Sequence, residues 1–413
     1  MAYRANQHEA RAARPVVITG AGIHTSMGAG WSANAAGFRA GRTAFRAVDL
    51  FDVSRQRVGT AGQAEMPDRP MLPGLTRRDW ERFDRGTRMA LVAAEEALSQ
   101  AGVRGEMPVC IGTSAGAMPI GEEYFKQALA GRSRGQLARV ETYQVQRQLT
   151  RMMAALELGG PLRIISNACA SGANAIGQAF HLIREGRAER VLAGGYDGLA
   201  QMVFAGFDAL QALSVSGIPR PFDAARDGLA IGEGAGFFLV ESLDSAKARG
   251  AEILGTVMGY GAATDIHHLT QPHPMGDAAL VTMTAATRMA GLEPGQIDYI
   301  NSHGTGTPLN DVAEAGAVAR WAEDAVAGVK LSSTKSSIGH LLGGAGAVEA
   351  VICLMALQGQ WLPGNLNVRE VDPVVNFDLV REPREAVVRH VLTNSFGFGG
   401  ANATLVMGRE VEA

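Results

Sequence analysis

The sequence predicts an α/β fold built from two similar halves. Short apolar, β-branched runs alternate with helical patterns along the chain, which is typical of a largely parallel sheet. The second half then repeats the order of the first at long spacing. Three pairs of segments correspond: 109–113 with 297–303, 164–177 with 331–347, and 232–240 with 394–407. We therefore divide the chain into an N-terminal half, 1–250, and a C-terminal half, 251–413.

The residues around Cys169 predict a strand, a tight turn and a helix. An apolar run, 162–165, is followed by small residues and then by apolar positions at helical spacing. Cys169 would thus precede a helix N-terminus, where free N–H groups and the helix dipole favour a thiolate. Its small neighbours permit a sharp turn like the nucleophile elbow of hydrolases. Taken alone, this motif fits a buried structural cysteine equally well.

Composition excludes several classes of function. The formal net charge of -3, without long runs of one sign, gives no surface for nucleic acid or anionic membrane. The three cysteines lie far apart, which is not a disulfide framework, and Cys110 is expected in the core. Residues 1–15 lack the apolar segment of a signal peptide, and no apolar run is taken to reach transmembrane length. A cytoplasmic location is expected.

Two other motifs resemble a dinucleotide-binding site and a metal site but lack residues that such sites need. A glycine turn follows the apolar run 15–19, but Thr25 stands where a dinucleotide fingerprint needs its third glycine. Three neighbouring histidines lack a fourth ligand and a nearby cysteine, so no metal is expected there: His267, His268 and His273. The segment 122–158 is helical with exposed Arg and Gln, and either faces a dimer partner or lines a substrate tunnel.

Four blocks in order along the chain carry a family resemblance: 167–172 (NACASG), 303–311 (HGTGTPLND), 335–340 (KSSIGH) and 394–400 (NSFGFGG). Together they resemble the signature blocks of β-ketoacyl-acyl carrier protein synthases of the type I/II group, in the thiolase superfamily. The resemblance runs from about residue 16 to 407. It implies a thiolase-like fold with two pseudo-symmetric halves in a layered αβαβα architecture.

The resemblance also implies a reaction, a decarboxylative Claisen condensation in fatty-acid or type II polyketide biosynthesis. Cys169 would hold one acyl group as a thioester, because a thiolate is strongly nucleophilic. Malonyl-acyl carrier protein would lose CO2 to give an enolate, whose developing charge needs hydrogen-bond donors. His303 and His340 are the expected donors. The backbone N–H groups of Cys169 and Phe398 match the family's oxyanion hole.

Supporting roles follow from the same blocks. Lys335 is expected to form a buried ion network with Asp311 and Glu314 that orients the histidines. Phe398 resembles the family's gating phenylalanine, on a loop made pliable by Gly397 and Gly399.

Threonines are the expected contacts of the substrate arm. Thr305 and Thr307 resemble the hydroxyls that bind phosphopantetheine, and Thr270 would line the same channel. No cofactor is implied, because the substrates travel on the 4'-phosphopantetheine arm of acyl carrier protein. Chain length would be set by 114–120 and by the segment 122–158.

Two other interpretations stay open. A thiolase would use a second cysteine near the C-terminus, where this chain has Phe398 instead. A chain-length partner subunit typically lacks the nucleophile, and Cys169 argues against that. Acyl carrier protein is the expected partner, with a homodimer or a heterodimer with a chain-length-factor-like subunit. Asn167, Ser171 and the polar residues before Pro15 favour a specialised pathway weakly.

Overall fold

The computed structural model describes residues 13–132 and 137–409. Most of the polar N-terminal arm, residues 1–12, lies outside the described residues, and so does 133–136 within the segment 122–158.

The N-terminal half contains ten strands and nine helices among the described residues. They are β1 (Val16–Thr25), β2 (Gly28–Ala29), α1 (Gly30–Arg39), β3 (Arg46–Ala47), β4 (Thr60–Ala61), α2 (Arg77–Arg82), α3 (Arg85–Ala101), β5 (Gly105–Glu106), β6 (Val109–Gly112), α4 (Met118–Leu129), α5 (Leu137–Tyr143), α6 (Val145–Ala155), β7 (Leu158–Gly159), β8 (Leu162–Ile165), α7 (Ser171–Arg184), β9 (Arg190–Asp197), α8 (Gln201–Ala209), β10 (Gly234–Ser242) and α9 (Leu243–Ala248).

The C-terminal half follows after a short connection. Its elements are β11 (Gly255–Thr264), α10 (Asp277–Met289), β12 (Tyr299–Asn301), α11 (Pro308–Ala322), β13 (Lys330–Ser332), α12 (Lys335–Ile338), α13 (Ala345–Gly359), β14 (Trp361–Leu362), β15 (Asp378–Leu379), β16 (Arg384–Glu385), β17 (His390–Phe396) and β18 (Ala401–Gly408), with 3₁₀ turns at Pro294–Gln296, Glu323–Gly328, Leu342–Gly344 and Phe398–Gly400. The division at residue 250 falls between α9 and β11. As a domain boundary it stays a prediction.

The sheet order confirms the repeat. Strands run β8-β6-β9-β10-β1 in the first half and β13-β12-β17-β18-β11 in the second, with β15 added beside β13. Numbered along the chain, both halves have the order 3-2-4-5-1. The central strand of each half, β9 or β17, runs parallel to its neighbour on one side and antiparallel on the other. Antiparallel pairing of β1 with β11 joins the halves into one twelve-stranded sheet.

Helices form three layers around the two sheet halves. Helix α3 packs on β1 and β10, and α10 packs on β11 and β18, on the outer faces. Helices α7 and α13 pack against each other and against strands of both halves, so they form the central layer. The predicted αβαβα arrangement is thus the observed one.

The apolar composition of α13 corrects one expectation. The stretch Leu342–Gly359 is long and apolar enough to cross a membrane, with a mean hydropathy of 1.5, although no such run was expected. This stretch is 89% buried inside the protein. Helices and strands contact this stretch on all sides. A helix with no solvent-exposed face is apolar around its whole circumference, which accounts for the composition.

Candidate active site

Loops at the ends of four elements bring the predicted residues together. Cys169 lies between β8 and α7, His303 follows β12, His340 follows α12, and Phe398 lies between β17 and β18. The reactive atoms of Cys169, His303 and His340 all lie within 4.8 Å of one another, and all three residues are buried. The imidazole rings are 5.3 Å apart and almost perpendicular. Each half of the fold therefore contributes to one site.

The turn at Cys169 is held by local hydrogen bonds. Ala168 has a positive φ of 55°, a conformation that non-glycine residues adopt rarely. The Ser171 hydroxyl donates to the Ala168 carbonyl (2.6 Å) and accepts from the Asn167 N–H (3.0 Å). A Cβ at Gly397 would lie 3.2 Å from the Cys169 nitrogen, so only glycine fits there without displacing the turn. These contacts fix Cys169 in a sharp, strained turn.

The surroundings of Cys169 favour the neutral thiol and not the expected thiolate. Burial raises the pKa of the thiol to about 11, against the opposing effects of the Lys335 charge and of hydrogen bonds to the sulfur from the Phe398 and Cys169 N–H groups. The desolvation of the charged form outweighs the helix N-terminus. The surroundings of Cys169 therefore favour a thiol at rest, in contrast to the thiolate that the helix N-terminus alone predicts. Both expected oxyanion-hole donors do face the sulfur.

The two histidines are neutral. Burial lowers the pKa of both well below 6.5, and the positive charge of Lys335 acts in the same direction. The Nδ1 atom of His340 accepts a hydrogen bond from the Leu342 N–H (3.1 Å), which places the ring proton on Nε2. Nδ1 of His303 has no hydrogen-bond partner among the described residues. His340 is thus a fixed donor, whereas the tautomer of His303 can change.

Lys335 does not form the expected network. Its ammonium donates to the carboxylate of Glu349 on α13, and both side chains are buried. Asp311 and Glu314 have other partners, so their predicted pairing with Lys335 was wrong. Lys335 acts on the histidines through its charge rather than through a chain of ion pairs. Glu349 is an acidic residue inside an otherwise apolar helical pattern, and that signal could have identified it from the sequence.

Glu314 and Asp311 accept hydrogen bonds from backbone N–H groups and do not pair with Lys335. Glu314 accepts from the N–H groups of His303 (2.8 Å) and Gly304 (2.7 Å) and from the side chain of Asn394 (3.1 Å). Asp311 accepts from the N–H groups of Phe222 and Gly306 and lies 3.7 Å from Arg226. Both carboxylates therefore position the loop that carries His303.

A cavity of about 340 Å³ leads to the reactive residues. Three threonines that were expected to contact the substrate arm line it: Thr270, Thr305 and Thr307. The hydroxyls of Thr305 and Thr307 bond each other at 2.8 Å. Gly397 and Phe398 also line the cavity, but Gly399 does not. Its N–H donates to the Leu269 carbonyl (2.7 Å), so Gly399 links two loops at the cavity instead of bordering it.

Phe398 closes part of the cavity wall. Its ring stacks on Phe207 of α8 at 5.7 Å, and 37% of the residue is exposed. Gly399 and Gly400 both have positive φ, as a loop that turns this sharply requires. No pattern in the sequence indicated Phe207, because only the tertiary fold brings it against Phe398.

Other predicted elements have simpler outcomes. Cys110 is fully buried in β6, as expected for a core residue. Among the residues that the structure describes, one group of His, Cys, Asp or Glu side chains has the spacing of metal ligands, and it is Cys169, His303 and His340. The rings of His267 and His273 make an edge-to-face contact, with their centres 5.2 Å apart, on the loop before α10.

Comparison with known proteins identifies the family. Residues 13–246 match "Beta-ketoacyl synthase, N-terminal domain" and residues 254–369 match "Beta-ketoacyl synthase, C-terminal domain". The 3-oxoacyl-(acyl-carrier-protein) synthase 2 of Synechocystis sp. is 36% identical over 408 residues, which cover 94% of this chain and 97% of the relative.

Solved structures that resemble this chain are also ketosynthases. The ishigamide ketosynthase/chain length factor has a TM-score of 0.89 at 33% identity, covering 97% of this chain and 100% of that chain. A type II PKS acyl-carrier protein in complex with its ketosynthase bound to the hexaketide has a TM-score of 0.85 at 25% identity, covering 96% and 100%. The thiolase-like fold and the acyltransferase class expected from the sequence are thereby confirmed, and the chain belongs to the β-ketoacyl-acyl carrier protein synthase family.

Proposed function

We propose that Cys169 carries the growing acyl chain and that His303 and His340 drive decarboxylation of a malonyl thioester. One observation carries this proposal: a buried thiol and two neutral imidazoles, contributed by opposite halves of the fold, lie within 4.8 Å of one another. Condensation needs these groups together, because the acyl group and the enolate must meet within bonding distance.

Acyl transfer is the first step. The Cys169 sulfur attacks the carbonyl carbon of the acyl thioester and loses its proton, the N–H groups of Cys169 and Phe398 stabilise the tetrahedral oxyanion, and the carrier thiol leaves with a proton. Because the resting group is a thiol, a base must take its proton. His303 is the better candidate, since Nδ1 of His340 is already engaged by the Leu342 N–H.

Decarboxylation and condensation follow. The thioester oxygen of the malonyl group accepts hydrogen bonds from His340 Nε2 and from His303, so that negative charge can develop on this oxygen as CO2 leaves. The enolate carbon then attacks the acyl carbon on Cys169, the C–S bond breaks, and the sulfur leaves as a thiolate that takes up a proton from solvent. Neutral imidazoles suit this role, because they donate hydrogen bonds without needing to be charged.

Acyl carrier protein is the proposed partner. The cavity lined by Thr270, Thr305 and Thr307 suits the polar phosphopantetheine arm. A solved relative is in complex with its acyl-carrier protein, which supports the same delivery here. No further cofactor, nucleic acid or membrane is part of the proposal, and the cytoplasmic location stays a prediction.

A dimer is the proposed assembly. Strand β8 ends the large sheet, where its outer edge pairs with no other strand among the described residues, and its own residues are only half-buried. An open strand edge next to the nucleophile turn is a natural place for a second subunit to extend the sheet. A homodimer and a heterodimer with a chain-length-factor-like subunit remain the two candidates. Similarity to a ketosynthase/chain length factor is what favours the second.

Thiolase chemistry is the competing function. Cys169 is the one cysteine that lines the cavity, whereas Cys110 and Cys353 are buried in β6 and α13. The site thus offers no second thiol to act as acid and base.

Intact-protein mass spectrometry tests the proposal. The protein is incubated with acyl carrier protein thioesters of different length and unsaturation, with Cys169→Ala as control. We expect a mass gain that maps to Cys169, and the preferred chain would separate fatty-acid elongation from a polyketide pathway. No gain with any donor, alone or with a co-purified partner subunit, would refute the assignment of the nucleophile.

A further inference from the structure

Asp197 is a buried carboxylate that no catalytic step uses. It ends β9 in the first half and is fully buried. Burial raises its pKa to about 6, so it is ionised at the pH of most assays. A buried charge needs several hydrogen bonds to persist, and the partners of Asp197 show what it holds.

One oxygen faces the loop beside the nucleophile. Oδ1 accepts from the Thr113 hydroxyl (2.6 Å) and from the Ala115 N–H (2.9 Å) and Gly116 N–H (3.2 Å). In the same loop, the Ser114 hydroxyl donates to the carbonyl of Ala168 (2.9 Å). This oxygen therefore supports the strained turn on which Cys169 lies.

The other oxygen reaches into the second half. Oδ2 accepts from the Gly343 N–H at 2.7 Å as well as from the Ser114 N–H at 2.9 Å. The residue before Gly343 is Leu342, whose N–H donates to Nδ1 of His340. Two consecutive N–H groups thus fix His340 and bind Asp197.

Close packing makes this junction rigid. A Cβ at Gly343 would lie 2.5 Å from the Ser114 nitrogen, and one at Gly344 would lie 2.8 Å from the Tyr196 Cα. The 3₁₀ turn Leu342–Gly344 is therefore pressed against the first half with no room for a side chain.

We infer that Asp197 is a positioning residue that sets the distance between Cys169 and His340 by binding the turns of both halves with its two oxygens. This inference rests on the proposed function, because it assigns Asp197 to the alignment of the two half-reactions. Acylation needs the Cys169 turn and His303 as the base, whereas decarboxylation also needs His340 at the right distance from Cys169.

Asp197→Asn tests the inference, because an amide keeps one oxygen. The orientation that preserves the bonds of Oδ1 places an NH2 group against the N–H groups of Gly343 and Ser114. The Ser114 N–H keeps Oδ1 as an acceptor at 3.2 Å, whereas the link to the second half through Gly343 is lost. We expect the rate of Cys169 acylation to stay within about threefold of wild type. We expect malonyl decarboxylation to fall by about a hundredfold, since a misplacement of about 1 Å has that effect.

Glu241→Gln is the matched control. Glu241 is a fully buried carboxylate on β10 that pairs with Arg190, at the opposite end of β9, and bonds Thr19 and Arg249. It undergoes the same chemical change away from both catalytic turns, and the ratio of the two half-reactions should equal that of wild type. An equal loss of both rates in Asp197→Asn, or no change in their ratio, would overturn the inference.

Thr113→Val decides the question if Asp197→Asn does not fold. It removes the hydroxyl that bonds Oδ1 and leaves the Gly343 link intact. The expected signature is the reverse one, with acylation slowed more than decarboxylation, and a loss confined to decarboxylation would contradict the inference. Wild-type protein that performs neither half-reaction would instead refute the proposed function itself.

Discussion

The two catalytic turns follow equivalent strands but are built differently. After β8 the chain makes one strained turn at Ala168 and enters α7 directly, so that Cys169 lies at the start of a long helix. After β13 a short helix, α12, and a 3₁₀ turn precede α13, and His340 lies between them. The repeat therefore fixes where the groups meet. The difference between the turns underlies the proposed division of roles, with Cys169 as nucleophile and His340 as hydrogen-bond donor.

The surroundings of the two turns differ as well. Strand β8 is half-buried at the end of the sheet, whereas β13 is covered by β15. The histidine side is thus enclosed within one chain, while the nucleophile side borders an open edge. The substitutions below test whether each turn serves a separate half-reaction.

Cys169→Ala should have the largest effect. Removal of the sulfur abolishes acyl-enzyme formation and condensation, because no other thiol lines the cavity. Decarboxylation of malonyl-acyl carrier protein should continue, since both imidazoles remain. Mass spectrometry and CO2 release measure the two outcomes, and a variant that still condensed would rule out Cys169 as the nucleophile.

His340→Ala should give the opposite pattern. Loss of a fixed donor to the developing enolate should slow decarboxylation by about 10²–10³. Acylation of Cys169 should persist, because the oxyanion-hole N–H groups are unchanged. The readouts are CO2 release and the mass gain at Cys169. If the variant could not be acylated either, His340 would serve both turns and the separation would fail.

Lys335→Ala should affect both half-reactions and therefore not separate the two turns. It leaves Glu349 buried without its partner, and breaking such a pair costs about 3–5 kcal/mol of unfolding free energy. Both half-reactions should slow, because the histidines lose the nearby charge. Urea unfolding and the two rate assays measure this, with Lys330→Ala, at a half-buried position of β13, as control. Wild-type stability and rates would make Lys335 a bystander.

Glu314→Gln should have the smallest effect, and one that depends on pH. Burial raises the pKa of Glu314 from 4.5 to about 7, so the folded protein retains a proton that the unfolded chain loses between these values. The contribution of Glu314 to stability therefore falls as pH rises through this window. Relative to wild type, the variant should gain stability between about pH 5 and about pH 8. Urea midpoints at both pH values test this, and a constant difference would contradict it.

Much of the fold and the identity of the family could be predicted from the sequence. Apolar runs ending at Cys169 and His303, and the repeat of their order, indicated two halves whose turns converge. These signals are local, since strand periodicity and small residues at a turn are properties of neighbouring positions. The assignments of catalytic roles to Cys169, His303 and His340 stay predictions until the half-reactions are measured.

Electrostatics and long-range pairing could not be predicted in this way. The helix N-terminus suggested a thiolate at Cys169, but the degree of burial decides its pKa, and burial depends on the whole fold. The family resemblance implied a network of Lys335 with Asp311 and Glu314, whereas the partner of Lys335 in the structure is Glu349 on α13. Asp197 carries no motif at all, because its partners lie in two distant loops.

The shared central layer makes the folding of each half depend on the other. Each half contributes one of the two central helices, and α13 is buried along almost its whole length. A fragment that ended near residue 250, or one that began there, would turn one face of its central helix toward water. Such fragments would be prone to aggregate when expressed separately. During synthesis, the inner surface of the N-terminal half is therefore covered only after the C-terminal half has been translated.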